Sequence, residues 1–480
     1  MSVDAQKYEA VIGLEVHARL STKSKLFSSD VNAYGAAPNE NVGVITLAHP
    51  GTLPKTNKKA IEYAVMMGIA CNCTINQKNY FARKHYFYPD LPKGFQTSQH
   101  TVPICGGGFI TIRTASGERN VKLHHIHLEE DAGKSIHDID EEHSYIDYNR
   151  AGTPLIEIVT EPGMHSAEEA GLFVLEIRKL VRWINICDGN MEEGSLRCDA
   201  NVSVRLRGEQ KLGTKAEVKN LNSIRNVRRA VEFEIERMVN LLEKGEKIYQ
   251  QTRSFDASTD TTFAIREKEE ANDYRYLPEP DLPPLNLSDE YLGNIKNNLP
   301  ALPQQLYKKY QSDFGLNEYD AAQLGNEKET ADYFESALAH TNNYKAVANW
   351  INGPVKQMMN ESGIALNEIP VEKLAGMIEL IDNGEISFSN ASAKLLPAII
   401  KNKTVPVAEL AAQLNIIQTN NTDELKQWVT IVLNKMPDKV SEYKKGKKGL
   451  MGLFVGEVKK MSKGKADLRS VTQLLEETLN

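Results

Sequence analysis

Apolar and polar residues alternate with a period of two in several stretches of the first 290 positions, and Gly, Pro and Asn separate those stretches. In Val11–Leu20, the residues Ile12, Leu14, Val16, Ala18 and Leu20 fall on one side, and Gly13, Glu15, His17 and Arg19 on the other. Successive side chains of a strand point to opposite faces, so the segment reads as a strand with an apolar back and a polar front. Leu196–Leu206 repeats the pattern, with Leu196, Cys198, Ala200, Val202, Val204 and Leu206 set against Arg197, Asp199, Asn201, Ser203 and Arg205. Thr214–Lys219 places Lys215, Glu217 and Lys219 opposite Ala216 and Val218. Phe109–Arg113 and Val121–Leu128 are two further half-exposed strands. Helical spacing marks Ala167–Ile184 and Ser223–Lys244; in the second, Val227, Val231, Ile235, Met238 and Leu242 form one stripe behind a capping Asn222 or Ser223.

Four prolines between Pro278 and Pro284 remove backbone donors and forbid a helix interior or a central strand there. A domain edge is therefore expected just beyond. From about residue 294 helical spacing takes over, as in Thr330–His340, Ala346–Glu361 and Val371–Asp382. A second boundary falls near Lys401–Pro406. The expected organisation is a sheet domain over 1–293, a helical domain over 294–404 and a small helical tail over 405–480. The fold class is α+β, and a sheet with one buried face and one wet face is largely antiparallel.

Composition adds little until charge is mapped along the chain. At 41% apolar and 25% charged residues the chain is ordinary and globular. No uncharged apolar run approaches the roughly 20 residues of a membrane span, and Met1–Glu9 has no signal-like core. A cytoplasmic location is expected. Five cysteines, few and odd in number, argue against a disulfide framework. Cys71 and Cys73 lack a second pair at zinc spacing, so they read as buried apolar groups. The net charge of −7 conceals a basic end. Residues 401–480 carry 14 basic and 9 acidic side chains, a net of +5, against −12 for the first 400. An acidic body with a basic end suits a polyanion bound at that end.

The three polar strand faces bring Arg, Lys, Asn and carboxylates together. Cations and amides suit phosphate oxygens, and carboxylates suit a hard cation bridging them. Glu157 and Glu130 stand among apolar residues, where an unpaired carboxylate is costly. With Glu15 and His17 they make a candidate Mg²⁺ site. Strict alternation puts Glu130 on the side of Ile126 and Leu128, so its strand must end or twist for it to join. His124, His125, His127 and His137 lack helical zinc spacing. Asp131–Ser135 ends like a P-loop, but Leu128 stands where the first glycine belongs. No Gly-x-Ser-x-Gly elbow appears. Any nucleotide is thus expected on a sheet, without a covalent nucleophile.

Val11–His17, Phe81–Gly94, His127–Lys134, Asn149–Glu157, Met191–Asn201, Lys215–Asn222, Asn272–Pro280 and Ala348–Ile351 closely resemble the GatB family, the B subunits of bacterial tRNA-dependent amidotransferases, in order and over essentially the whole chain. The resemblance implies a cradle domain related to glutamine synthetase and helical domains that grip tRNA. It implies ATP- and Mg²⁺-dependent phosphorylation of the side-chain carboxylate of misacylated Glu-tRNA(Gln), and of Asp-tRNA(Asn), followed by displacement of phosphate by ammonia. The implied partners are a glutaminase of amidase fold and a further, small protein, which together with this chain make a heterotrimer, with no membrane or DNA. Carried over by position, the metal ligands and catalytic residues are Glu15, His17, Glu130 and Glu157, which favours a bent strand end at Glu130. Lys84, near Arg83 and Asp90, matches a position near the outlet of the ammonia route. Arg197, Asp199, Asn201, Ser203 and Lys219 are assigned to ATP phosphates or the aminoacyl end. The competing reading is a non-catalytic RNA-binding scaffold. Glu15, Glu130 and Glu157 argue against it, because a scaffold facing an anionic RNA has no use for them.

Overall fold

The computed structural model describes residues 7–479 except 138, 141, 268–273, 419–421 and 463. Asn272 and Asp273 of one quoted motif and Lys463 of the basic end lie outside the described residues. The chain forms two compact units, Met1–Leu302 and Pro303–Asn480.

The first unit is organised around the strand Tyr8–Arg19. To one side lie, in order, Leu196–Leu206, Ala216–Leu221, Gln251–Asp256 and Thr261–Glu267. To the other lie Pro154–Thr160, Gly117–Glu130, Phe95–Ser98, Ala82–His85 and the short Leu277–Pro278. Three helices cover the back of the sheet: α1 (Lys58–Ala70), α2 (Ala167–Trp183) and α3 (Ile224–Glu243). Among the described strands of this sheet one pair is parallel, Ala216–Leu221 with Gln251–Asp256. The reason is α3, which carries the chain from one to the other; parallel neighbours require such a crossover. The largely antiparallel α+β architecture is as expected.

The apolar backs are buried as the alternation requires. Ile12, Val16, Ala18, Leu20, Leu196, Cys198, Ala200 and Val202 have no solvent exposure. Each large member contributes roughly 1.5–3 kcal/mol, which anchors the register and so the direction of the polar faces. The helix ends are also set locally. Ser166 accepts from the Glu169 amide and Ser223 from the Asn226 amide, which supplies one otherwise unpaired donor at each start.

The proline-rich segment forms no helix, and its Leu277–Pro278 pairs with Ala82–Arg83 at the sheet edge. A helix over Asp289–Asn298 follows within the first unit, so this unit runs on past residue 293. The second unit is helical. Val371–Asp382 forms as read, whereas Ala346–Glu361 is interrupted by a π-helical turn over Ile351–Val355 that contains Pro354. A proline there lacks the amide that an α-helix needs, and the wider turn accommodates it. The last helices share a core that includes Leu425, Phe454, Val458, Val471 and Leu475.

Candidate active site on the open sheet face

The face away from the helices carries the polar sets. Cross-strand register places His17 opposite Glu157 and Arg197, and Glu157 opposite His127. His17 Nε2 lies 3.3 Å from Glu157 and 3.7 Å from Glu129. His127 Nε2 lies 3.4 Å and 3.5 Å from the same two carboxylates. His17, Glu129 and Glu157 each offer a ligand atom, all within 4.8 Å of one another. A second group, Glu15, Asp199 and Glu217, meets the same limit one step along the sheet. Lys219 bridges it, 3.0 Å from Asp199 and 2.8 Å from Glu217, and Asn201 donates to Glu15 at 3.0 Å.

Glu130 does not join them. After a register shift between Leu123 and His125, the strand Gly117–Glu130 runs in regular register to its end, with Glu129 opposite Leu155 and Glu130 opposite Pro154. Alternation therefore holds, and Glu129 takes the place on the open face that had been assigned to its neighbour. Glu130 points to the reverse face, where it pairs with Lys93 and accepts from the Thr97 amide at 2.8 Å. The expected bent strand end is absent.

The other assigned residues sort as follows. Lys84 lies on the site face, its ammonium 4.7 Å from the Tyr274 ring centre and near enough to Glu157 to favour that carboxylate. Its neighbour Arg83 points the other way, into a bidentate pair with Glu279 at 2.8 Å. Arg197 reaches Asp131 at 3.2 Å. Ser203 is buried, with its hydroxyl spent on the Val11 carbonyl at 3.2 Å, so it offers a ligand little. Of the histidines, His124, His125 and His127 form a hydrogen-bonded row at 2.6 and 3.0 Å. His137 is bound to Ser144 instead. The cysteines are unpaired thiols, and Cys73 donates to the Gly107 carbonyl at 3.0 Å.

Packing so many charges together sets their protonation. Burial disfavours a charged His17, but Glu157 and Glu129 outweigh it and carry the imidazole up to about 9. Burial also opposes ionisation of Glu157, yet His17, His127 and Lys84 hold its carboxyl well below the usual range. Glu15 is pushed up, first by burial and then by Glu157, Glu217 and Asp199. The His17 proton thus sits where a cation would, because a ligating imidazole must be neutral. The donor set fits a hard divalent cation: mostly carboxylate oxygens and one imidazole. Asn201 Oδ1 is buried beside the second group and accepts no hydrogen bond among the described residues, which adds an oxygen of the right kind.

On the reverse face Glu130, Lys93, Lys25 and Arg83 line a cavity of about 160 Å³. Lys25 has no exposure, and burial lowers its amine to about 8 despite Asp30, Asp147 and Glu130. The folded state then prefers a neutral amine, so the cost of burial is full below pH 8 and is relieved as pH rises from 8 toward the ordinary 10.5. Each pH unit in that window is worth about 1.4 kcal/mol, and the bond to the Tyr148 carbonyl offsets about 1 kcal/mol. Lys25→Met is expected to stabilise the protein by about 2 kcal/mol at pH 7 and to flatten the rise in stability above pH 8. Thermal unfolding across pH 7–10.5 measures both, and a destabilised variant contradicts the assignment.

Residues 10–293 match the GatB/GatE catalytic domain, and residues 332–479 match the GatB domain. The B subunit of the aspartyl/glutamyl-tRNA(Asn/Gln) amidotransferase of Persephonella marina is 44% identical over 476 residues, covering 98% of this chain and 100% of that protein. The chain belongs to the GatB family. The homologue from Oleidesulfovibrio alaskensis is 46% identical over 475 residues, covering 98% of this chain and 99% of its own, and that from Thermodesulfovibrio yellowstonii is 44% identical over 471 residues, covering 98% of each. As a GatB protein the chain is one component of a multi-subunit, ATP-using ligase that forms carbon–nitrogen bonds with glutamine as amide donor. Among the described residues no helix is long and apolar enough to cross a membrane. Glu129 and His127 were the residues that sequence reasoning passed over, although the parity of His125, His127 and Glu129 against Ile126, Leu128 and Glu130 marks them.

Proposed function

We propose that this chain phosphorylates the side-chain carboxylate of glutamate on Glu-tRNA(Gln), of aspartate on Asp-tRNA(Asn), or of both, and then amidates it. A carboxylate oxygen of the aminoacyl group attacks the γ-phosphorus of ATP and ADP leaves. The nitrogen of ammonia then attacks the acyl carbon and phosphate leaves, giving the amide. The observation that carries this reading is the row of two carboxylate groups and interleaved cations on one open sheet face.

His17, Glu129, Glu157 and, one step along, Glu15 with Asp199 and Glu217 are the residues that would hold Mg²⁺. When bound, Mg²⁺ offsets the repulsion between the triphosphate and the incoming carboxylate. Arg197 and Lys219 place positive charge on the same face, where charge spreads over the phosphoryl oxygens. Asp131, Asp199 and Glu217 hold those cations in position. Lys84 adds a cation beside Glu157 from the opposite flank. Ammonia comes from a glutaminase of amidase fold, and a small third protein makes the complex a heterotrimer in the cytoplasm. Of the division into a 1–293 cradle, a 294–404 helical domain and a 405–480 tail, the tail goes with this reading, since it has its own core and the excess of lysine, while the first unit runs on through Asp289–Asn298.

ADP release by the assembled complex, with Mg²⁺, glutamine and each misacylated tRNA in turn, tests the proposal. Release that depends on the misacylated tRNA, with conversion to the amide, supports it and identifies the substrate. A complex that binds tRNA and releases no ADP returns the scaffold reading. Deleting 406–480 is expected to lower tRNA affinity at least tenfold at low salt and to flatten its salt dependence. Unchanged affinity in filter binding contradicts a tRNA-binding tail.

A further inference from the structure

Next to the His17, Glu129 and Glu157 group, on the flank of Ala82–His85 and Leu277–Pro278, stands a wall of aromatic rings that the chemistry above does not use. The His100 and Tyr276 rings stack at 3.9 Å with 18° between planes. Tyr274 meets Tyr276 edge-on at 6.3 Å, and Tyr86 meets Tyr274 at 6.1 Å. The wall is fixed by backbone bonds, because the His85 amide donates to the Tyr274 carbonyl at 3.0 Å and Leu277 pairs with Arg83. It also borders the acidic group, because Ser98, two residues before His100, lies opposite Glu129 across the strands. Tyr276 is 36% exposed and His100 is exposed, so ring surface remains open to a ligand.

We propose that this wall of Tyr86, Tyr274, Tyr276 and His100 seats the 3′-terminal adenosine of the aminoacylated tRNA by stacking. The inference rests on the proposed function, whose substrate ends in an adenosine that carries the reacting amino acid on its ribose. An unpaired nucleobase is held by aromatic side chains in this way. Adenine occurs in ATP as well, and charge decides between the two. Arg197 and Lys219 lie beyond the first strand, on the side opposite the wall, so a triphosphate extends away from the rings. Among the described residues, the wall side presents Lys84 to the site face, set against the Tyr274 ring. The two substrates then approach the acidic group from opposite flanks, with the aminoacyl carboxylate and the γ-phosphate meeting over it.

The test uses the assembled complex, steady-state ADP release, and Glu-tRNA or Asp-tRNA whose terminal nucleotide is either adenosine or a ribose without its base. Tyr276→Ala is expected to raise KM for the normal tRNA about tenfold while leaving KM for ATP unchanged. Removing the base is expected to cost the wild type the same factor and to cost Tyr276→Ala nothing further. Tyr276→Trp is expected to restore the normal KM. A rise in KM for ATP with tRNA unaffected overturns the proposal and gives the wall to ATP, and so do losses that multiply when variant and abasic tRNA are combined. Wild-type turnover is the internal control: if it shows no tRNA-dependent ADP release, the proposed function fails, whereas normal turnover that ignores the missing base overturns the wall alone.

Discussion

Glu129→Gln is expected to abolish divalent-cation binding and to reduce ATP-dependent amidation at least a hundredfold, with tRNA affinity unchanged. Glu130→Gln is expected to keep the cation. The two residues are neighbours with the same side chain, and only the direction of each separates them. Glu129 lies within 4.8 Å of the ligand atoms of His17 and Glu157 on the open face. Glu130 sits behind the sheet, bonded to Lys93 and the Thr97 amide. Replacing one of two carboxylates removes a charged oxygen ligand, and it also removes part of the field that favours the His17 proton. Loss of a transition-state charge stabiliser typically costs 10²–10³ in rate. Glu130→Gln instead weakens one buried ion pair and costs stability. Titration with Mn²⁺ followed by electron paramagnetic resonance reads the cation directly, without turnover. If Glu129→Gln binds Mn²⁺ like the wild type while Glu130→Gln does not, the geometric assignment is wrong and a bent strand end has to be restored.

Glu234→Ala should destabilise the first unit by about 3–5 kcal/mol, as expected when one partner of a buried ion pair is removed. Glu234 lies on α3, fully buried, and holds Arg237 at 2.7 Å and Arg253 at 2.9 Å while accepting from the Thr262 hydroxyl. Arg253 is itself only 8% exposed, and burial already disfavours its charge. Without Glu234 that guanidinium stays buried among neutral partners, the Thr262 hydroxyl and carbonyl and the Gln251 side-chain oxygen. The damage reaches the site, because Arg253 belongs to the strand whose Thr252 donates to Glu217. Glu234→Gln, which keeps the shape and some bonds, should cost less. Urea unfolding at neutral pH gives the number, and a loss below about 1 kcal/mol for the alanine variant would show that the network contributes specificity rather than stability.

Much of the site face is legible in the sequence. Glu15, His17, Arg197, Asp199, Asn201, Glu217 and Lys219 share a side because alternation is a property of strand geometry that the apolar residues between them make visible. The same rule applied to His124–Asp131 selects His125, His127 and Glu129, and the structure follows it. The resemblance pointed instead to Glu130, one residue away, and the structure turns that side chain to Lys93 and the Thr97 amide on the reverse face. A one-residue slip reverses every side chain, so identity of residue type between neighbours cannot decide a face.

The break in Ala346–Glu361 has a comparable cause. Apolar spacing predicts one helix, but Pro354 lacks an amide, and a wider turn absorbs it. The proline was visible; the form of the interruption depends on the helices packed around it. The aromatic wall was hidden for a different reason. Tyr86 and His100 lie far from Tyr274 and Tyr276 in the chain, so only the pairing of Leu277–Pro278 with Ala82–Arg83 brings the four together.

What the sequence by itself determined is local: which residues alternate, where a cap starts α3, which faces are apolar and which end of the chain is basic. These follow from covalent geometry and short-range bonding. Only the tertiary structure decided that Tyr8–Arg19 lies between Pro154–Thr160 and Leu196–Leu206, and hence that His17, Glu129 and Glu157 fall within reach of one ion. Strand order is set by how the buried backs pack beneath the helices, a sum over contacts between residues far apart in the chain, and no local pattern records that sum.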